Sequence, residues 1–105
     1  MKLNEYQDNA MTTRLPSAGL EYALFGLGGE VGEVYSLLAK LYRDGTTDEA
    51  AVLENIKKEL GDILWFIAAI AKDYGFTLED VAEVNLAKLQ KRQSRGTLTG
   101  SGDNR

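Results

Sequence analysis

The chain has 105 residues and a net charge of −4, and it contains neither cysteine nor histidine. This length fits one domain, residues 1–105, with a small core, and the composition excludes disulfides and metal sites built on thiolate or imidazole. The negative charge argues against a nucleic-acid polymer as partner. With no signal-peptide pattern and no apolar run long enough to span a bilayer, we expect a soluble cytoplasmic protein without a membrane partner.

Apolar residues recur with helical spacing in four segments, and no segment alternates with the period of two that marks a strand. The four predicted helices cover residues 3–13, 19–43, 48–73 and 77–93. Ser17 is a candidate cap of the second helix, and Gly75 is the glycine expected just past the third. Thr47 or Asp48 is predicted to cap the third helix, and Thr77 opens the fourth with a Thr-x-x-acid capping box.

Residues 94–105, here called the tail, are polar and rich in glycine. This composition fits either a flexible segment or an ordered loop that closes on a ligand. Together the elements predict an all-α domain, built as a four-helix-type bundle and assembled as a homo-oligomer.

Two segments inside the second and third helices align without a gap: EVGEVYSLLA from Glu30 and ELGDILWFIA from Glu59. An acid, an aliphatic residue, a glycine and a second acid follow in the same order, so Glu33 corresponds to Asp62. At about 100° per residue, each helix carries its two acids on the same flank of its apolar face. A solvated acidic face is the plain explanation for one such pair, but it gives no reason for the repeat.

Large apolar residues share the flank that carries the acids, so we expect half-buried carboxylates that need a counter-charge. Antiparallel packing of the two helices would bring together the four acids Glu30, Glu33, Glu59 and Asp62. Carboxylates without nitrogen or sulfur ligands suit Mg²⁺ or Mn²⁺. A di-iron bundle would need Glu-x-x-His pairs, which a chain without histidine cannot supply.

The stretch GLGGEVGEV, from Gly26 to Val34, lacks the spacing of a phosphate-binding glycine loop and no strand precedes it. We interpret it as helix. Gly32 and Gly61 occupy the same place in the two repeats, so we expect them to let the helices approach closely and to set the distance between the carboxylates.

The predicted fourth helix continues its inward face with Asn85, Lys88 and Arg92, at i, i+3 and i+7. Long basic side chains that reach past a helix end are the plain explanation. Beside a carboxylate cluster, they would instead hold phosphate oxygens that metal ions bridge to the acids. Arg95 and Arg105 would add to this group of phosphate-binding cations, here called the basic clamp.

The pattern Glu-x-x-Glu, 25 residues, Glu-x-x-Asp resembles the MazG-like nucleoside triphosphate pyrophosphohydrolases, whose relatives include dimeric dUTPases and phosphoribosyl-ATP pyrophosphatases. The resemblance extends over residues 3–105. Its strongest parts are GLGGEVGEV, KKELGDILWFIAAIA and NLAKLQKRQSRGTLTGSGDNR. It implies Mg²⁺-dependent hydrolysis of an NTP or dNTP to the monophosphate and pyrophosphate, with a preference for deoxynucleotides.

The resemblance also implies roles for the residues that match the family's motifs. The expected metal ligands are Glu30, Glu33, Glu59 and Asp62. Asn85, Lys88 and Arg92 match the family's phosphate-contacting residues. Together with Arg95 and Arg105 from the basic clamp, they are the expected substrate-binding residues. Glu30, Glu33 and Lys88 are the expected catalytic residues, with Glu33 as general base for a water that attacks the α-phosphorus and Lys88 stabilising pyrophosphate. A homodimer or a dimer of dimers, with sites near the subunit interfaces, is implied as well.

The base pocket is less defined. Trp65 lies on neither the apolar stripe nor the acidic flank, which favours packing in an interface over stacking on a base, and Tyr6 and Gln7 are further candidates to reach a base. Two alternative functions stay open at this point. One is a non-catalytic helical interaction module, and the other is a phosphoribosyl-ATP or other non-canonical nucleotide pyrophosphatase.

Overall fold

The structure is a computed structural model that describes residues 1–45 and 48–105. Within these ranges the chain forms α1 (Leu3–Met11), α2 (Leu20–Asp44), α3 (Glu49–Asp73) and α4 (Leu78–Arg95). No strand occurs in the described residues, so the all-α prediction is confirmed, and every helix begins and ends within two residues of its predicted bounds. No described helix combines the length and apolarity needed to cross a membrane.

The predicted side-chain caps form at two helix starts. Thr77 Oγ1 accepts a hydrogen bond from Asp80 N at 3.1 Å, and Asp48 Oδ1 accepts one from Ala51 N at 3.0 Å. Each bond satisfies a backbone N–H that has no partner within its own helix. Thr47, the alternative cap of α3, lies outside the described residues.

The predicted cap of α2 is wrong. Gly19 occupies the N-cap position without a side-chain bond, and Ser17 lies two residues earlier. Ala18 N donates to Leu15 O at 2.9 Å, so Pro16 and Ser17 form the middle of a turn. Proline favours this turn because its ring presets the backbone angle φ.

Glycines in left-handed backbone follow three of the helices. Gly45, after α2, has φ of 70°, and Gly75, after α3, has φ of 79°, both at predicted turns. α4 continues two residues past its predicted end and stops before Gly96, which also has φ of 70°. A residue with a β-carbon is disfavoured in this region, so the glycines decide where the chain leaves each helix.

α2 and α3 pack as an antiparallel pair. Gly26 lies against Phe66, and Glu30 lies close to Glu59. Moving forward along α2, from Gly26 to Glu30, therefore corresponds to moving backward along α3, from Phe66 to Glu59. One buried cluster lies between these two helices and consists of Ala23, Phe66 and Ala69. A second cluster joins α3 to the start of α4 and consists of Ala68, Ala71 and Leu78.

The close approach of α2 to α3 depends on Gly26. A β-carbon at this position would lie 2.2 Å from Phe66 Cε1. Gly32 and Gly61, which we expected to bring the helices together, have no described atom within 4 Å of such a carbon apart from neighbouring residues and the backbone of their own helix. That expectation is therefore wrong for packing within the chain, because the glycine at the contact is one turn before the acid motif rather than inside it.

α4 lies away from α2. Among the described residues, α4 contacts α1 and α3 only. The radius of gyration is 16.8 Å, whereas a compact domain of this length would have about 13 Å. Apolar side chains of the predicted stripes stay exposed, including Leu24 (46%), Tyr35 (69%) and Leu60 (55%). One chain thus supplies the four helices and leaves apolar faces uncovered.

Candidate active site

The α2–α3 pair brings three of the four predicted acids together. Carboxylate oxygens of Glu30, Glu59 and Asp62, here called the acid cluster, lie within 4.8 Å of one another. Glu30 stands one turn beyond Gly26, and antiparallel packing places it opposite the Glu-x-x-Asp motif of α3. Glu30 and Glu59 are half buried, and Asp62 is exposed.

The acid cluster is electrostatically unfavourable without a counter-charge. Burial raises the pKa of Glu30, and the charge of Asp62, a hydrogen bond shared with Glu59 and the charge of Glu59 raise it further. Burial and, after it, the charge of Asp62 also raise the pKa of Tyr6 on α1. Among the described residues, no lysine or arginine forms an ion pair with the acid cluster.

A hard divalent cation fits the acid cluster. Glu59 Oε2 is buried without a hydrogen-bond partner, and an unpartnered buried carboxylate oxygen is costly. Oxygen ligands bind Mg²⁺ or Ca²⁺ at about 2.0–2.6 Å, so two ligands on opposite sides of the ion lie about 4–5 Å apart. The oxygens of the acid cluster, all within 4.8 Å of one another, lie close enough together to bind one such ion.

Glu33, the fourth predicted ligand, stands beside the acid cluster. It lies one turn beyond Glu30 on α2 and is exposed, and it does not belong to the group whose oxygens lie within 4.8 Å. Its charge is close enough to contribute to the raised pKa of Glu30.

A cavity of about 460 Å³, here called the acid cavity, opens beside the acid cluster. Its lining comes from the α1–α2 loop (residues 12–19), α2 and α3, and consists of Thr13, Leu15, Ser17, Ala18, Tyr22, Glu30, Asp62, Trp65 and Phe66. The rings of Trp65 and Phe66 meet edge to face at 5.0 Å, and Tyr22 lies tilted against Phe66 at 5.6 Å. These rings give the cavity an apolar wall next to its carboxylates.

Trp65 is held within the chain at this wall. Its Nε1 donates to Thr13 Oγ1 at 2.9 Å and to Ala10 O at 3.2 Å. Sequence reasoning missed Tyr22 because it lies outside the acid motifs. Its position eight residues, about two turns, before Glu30 on the same helix was the available signal.

Gln7 is not free to reach a base, contrary to the prediction. It is 5% exposed, and its Nε2 donates to Ala68 O at 3.2 Å and to Phe76 O at 3.1 Å. Its Oε1 accepts from Leu78 N at 3.1 Å. All its amide atoms are used to join α1, α3 and the start of α4, because buried polar groups require partners.

The predicted cations of α4 line a second cavity of about 480 Å³, here called the basic cavity. Its lining consists of Val84, Ala87, Lys88, Lys91, Arg92, Arg95, Asp103, Asn104 and Arg105. None of these residues lines the acid cavity. Asn85 is exposed and belongs to neither lining.

The tail folds back on α4 as an ordered loop, one of the two forms its composition predicts. Arg92 is 5% exposed, and its Nη2 donates to Asp103 O at 2.8 Å and to Gly102 O at 3.2 Å. Arg105 donates to backbone carbonyls of the tail, and Arg95 donates to Arg105 O at 2.8 Å. Much of the predicted clamp therefore holds the tail in this chain.

Asp103 supplies a carboxylate to the basic cavity. Its Oδ1 lies 3.1 Å from Lys88 Nζ and 3.4 Å from Arg92 Nη2. The hydrogen bond from Lys88, more than that from Arg92, lowers the pKa of Asp103. An internal anion thus pairs with two cations expected to contact phosphate.

Comparison with known proteins shows the family to which this chain belongs. Residues 20–97 match the model of the MazG nucleotide pyrophosphohydrolase domain. The chain is 42% identical over 90 residues to the Gene 37 protein of Mycobacterium phage L5, which covers 83% of this chain and 77% of that protein. It is similar to the crystal structure of iMazG from Vibrio DAT 722, with a TM-score of 0.62 and 28% identity over 86% of this chain and 97% of that one. Because the family match spans both acid motifs and the cations of α4, the chain belongs to the MazG nucleotide pyrophosphohydrolase family.

Proposed function

We propose that this protein hydrolyses a nucleoside triphosphate to the monophosphate and pyrophosphate. The observation that carries the proposal is the buried, unpartnered Oε2 of Glu59, in a carboxylate cluster that opens onto a cavity with aromatic walls. Membership of the family supports the class of reaction. The all-oxygen donor set supports Mg²⁺, or Mn²⁺ in its place.

Glu30, Glu59 and Asp62 would hold the cation, with Glu33 as the fourth predicted ligand or as the general base. When bound, a divalent cation supplies charge neutralisation for the polyphosphate and a lowered pKa for an adjacent water. The unpaired charge of the acid cluster would otherwise repel a triphosphate.

The chain's own residues supply the proton transfer and the stabilisation of the leaving group. The carboxylate of Glu33, outside the acid cluster, accepts a proton from the water whose oxygen bonds to the α-phosphorus. The bond from that phosphorus to its bridging oxygen breaks, and the electron pair leaves with pyrophosphate. Lys88 stabilises the negative charge of the leaving group. Arg92 would join it once the tail, whose Gly102 and Asp103 now accept hydrogen bonds from its guanidinium, moves away.

We infer that a second copy of the chain completes this site. The cations of α4 and the acid cluster line two separate cavities of one chain, and a second copy would bring a basic cavity to each acid cluster. The exposed apolar faces of α2 and α3 and the large radius of gyration support a homodimer or a dimer of dimers.

The acid cavity is the proposed site for the base and sugar. Its volume lies within the range of about 300–1,000 Å³ typical of small-molecule sites, and Tyr22, Trp65 and Phe66 supply apolar ring surface. Ser17 and Tyr22 add hydroxyl groups that can donate or accept a hydrogen bond. A preference for deoxynucleotides is part of the proposal.

The test is incubation with each NTP and dNTP and MgCl₂ in oxygen-18 water, followed by identification of the products. Labelled monophosphate and unlabelled pyrophosphate are expected. Diphosphate with orthophosphate would exclude attack at the α-phosphorus. No turnover of any triphosphate, together with no effect of Mg²⁺ on thermal stability, would favour the non-catalytic interaction module.

Two glutamate variants of α3 provide the internal control. Glu59→Gln is expected to abolish turnover, because it removes a charged ligand from the acid cluster. Glu54→Gln changes an exposed glutamate of the same helix, whose partner is Lys57 at 3.4 Å, and is expected to retain full activity. Full activity of Glu59→Gln would contradict the assignment.

A further inference from the structure

One arginine fastens the loop that forms a wall of the acid cavity. Arg14 lies in the α1–α2 loop, and its Nε donates to Ala18 O within the same loop at 2.7 Å. Nη1 and Nη2 each donate to a carboxylate oxygen of Asp73 at 2.8 Å. Nη1 also donates to Ala69 O at 3.5 Å. The guanidinium thereby joins the loop to the last turns of α3.

This fastening is geometrically specific. The side chains of Arg14 and Asp73 are 13% and 23% exposed, and the two hydrogen bonds between them lie at the protein surface. Two parallel N–H···O bonds to one carboxylate require the planar fork of arginine, which lysine cannot reproduce. The hydrogen bond from Arg14 also lowers the pKa of Asp73.

The fastened loop forms one side of the acid cavity. Thr13, Leu15, Ser17 and Ala18, on both sides of Arg14 in sequence, line that cavity, and Arg14 itself does not. Thr13 also accepts the hydrogen bond from Trp65 Nε1. The loop is thus tied to α3 at two places, through Trp65 in the middle of the helix and through Asp73 at its end.

We propose that Arg14 is a positioning residue for the nucleoside part of the substrate. Through Ala18 and Asp73 it holds the α1–α2 loop at the distance from Tyr22 and Trp65 at which a nucleobase fits between them. The identity of the ligand rests on the proposed function, whereas the geometry of the loop does not. Loss of Arg14 widens the cavity and weakens binding of the nucleoside, and the acid cluster stays intact.

The first test uses fluorescence and needs no turnover. Trp65 is the only tryptophan, so its emission reports on the loop directly. In Arg14→Met the emission is expected to shift to longer wavelength, because Thr13 withdraws and water reaches the indole. Titration with the four deoxynucleoside monophosphates in MgCl₂ is expected to quench Trp65 in the wild type, with about tenfold weaker affinity in Arg14→Met and an intermediate value in Arg14→Lys.

Arg43→Met is the matched control. Arg43 also pairs with an aspartate through two bonds of 2.7 Å, to Asp44, but it lies at the other end of α2 and is exposed. It is expected to leave the emission, the nucleotide affinity and the kinetics unchanged.

The second test separates positioning from simple loss of structure. Arg14→Met is expected to raise KM about tenfold and to change kcat less than about twofold, because the reacting groups are untouched. A lower kcat with an unchanged KM, or an unchanged Trp65 spectrum in a folded variant, would overturn the proposal. If Arg14→Met does not fold, as judged by circular dichroism, Arg14→Lys and Asp73→Asn carry the same comparison.

The outcomes also distinguish this inference from the proposed function. A wild type without turnover whose Trp65 is still quenched by nucleotides, with weaker quenching in Arg14→Met, refutes the pyrophosphohydrolase and supports the role of Arg14. A wild type that turns over triphosphates while nucleotides leave Trp65 fluorescence unchanged refutes the role of Arg14.

Discussion

Replacing Gly26 by alanine is expected to destabilise this protein, although alanine is the better helix former. The added β-carbon would lie 2.2 Å from Cε1 and 2.4 Å from Cζ of Phe66, whereas ordinary contacts begin at 3.4 Å. Phe66 is 7% exposed and lies against both Tyr22 and Trp65, so we expect its ring to resist displacement, although it also lines the acid cavity. α2 and α3 must therefore separate by about 1 Å, the difference between 3.4 and 2.2 Å.

The magnitude follows from two opposing effects. Overpacking of a core costs about 1–3 kcal/mol, and the upper end applies here because the neighbouring ring is held on two sides. The higher helix propensity of alanine stabilises the folded state by about 1 kcal/mol relative to glycine. The net loss of about 2 kcal/mol should lower Tm by about 10 °C in a domain of this size.

Thermal unfolding followed by circular dichroism measures this effect, with Gly29→Ala as the control. Gly29 lies three residues later on α2. Apart from neighbouring residues and the backbone of α2 itself, no described atom lies within 4 Å of an added β-carbon there, so replacement by alanine should raise stability by up to about 1 kcal/mol. Separation of the helices in Gly26→Ala should also weaken the stabilisation by Mg²⁺, because Glu30 moves away from Glu59. A Gly26→Ala protein as stable as Gly29→Ala would refute the reasoning.

The remaining predictions concern charge. At a hundredfold excess over Kd, MgCl₂ should raise the free energy of unfolding of the wild type by about 2.7 kcal/mol. Differential scanning fluorimetry should therefore show a higher Tm for the wild type with MgCl₂ and an unchanged Tm for Glu59→Gln. Without Mg²⁺, Glu59→Gln should be at least as stable as the wild type, and a large loss of stability would mean that Glu59 has a structural role. The folded-state pKa of Asp73 is lowered by Arg14, so its contribution is complete above the unfolded pKa of about 3.9 and is lost as pH falls through the folded value. The Tm of the wild type should therefore fall more steeply than that of Asp73→Asn on acidification below about pH 5, and parallel curves would contradict the assignment. Asp103→Asn should strengthen inhibition by pyrophosphate about twofold, because the substitution frees Lys88 from an exposed ion pair. Progress curves of turnover with added pyrophosphate measure this inhibition. Weaker inhibition in the variant would show instead that Asp103 orients the lysine.

Local signals in this chain predict its helices well. The side-chain cap at Thr77, the turn at Gly45 and the glycine after α3 act over a few residues, so they need no knowledge of the rest of the fold. Ser17 failed as a cap because Pro16 started a turn at the same place, and two local signals competed for one segment.

Part of the candidate site is also predictable from patterns within single helices. The repeat around Glu30 and Glu59 places acids on equivalent flanks of two amphipathic helices, which already indicates a shared site. Whether Glu33 joins the acid cluster depends on where the helices cross, and the contact of Gly26 with Phe66 is one of the contacts between them. The two residues are 40 positions apart, and no periodicity within one helix reveals their contact.

The amino-acid order alone establishes four amphipathic helices, two matched acid motifs and a basic stripe, because helical periodicity and capping are properties of neighbouring residues. Only the tertiary structure shows that Glu30 lies beside Glu59 and Asp62. It also shows that the hydrogen bonds of Gln7 connect α1 to α3 and α4, and that Asp103 of the tail pairs with Lys88 and Arg92. Each of these facts depends on distances between segments far apart in the chain. Packing sets those distances through a few contacts, chief among them a glycine that admits an aromatic ring.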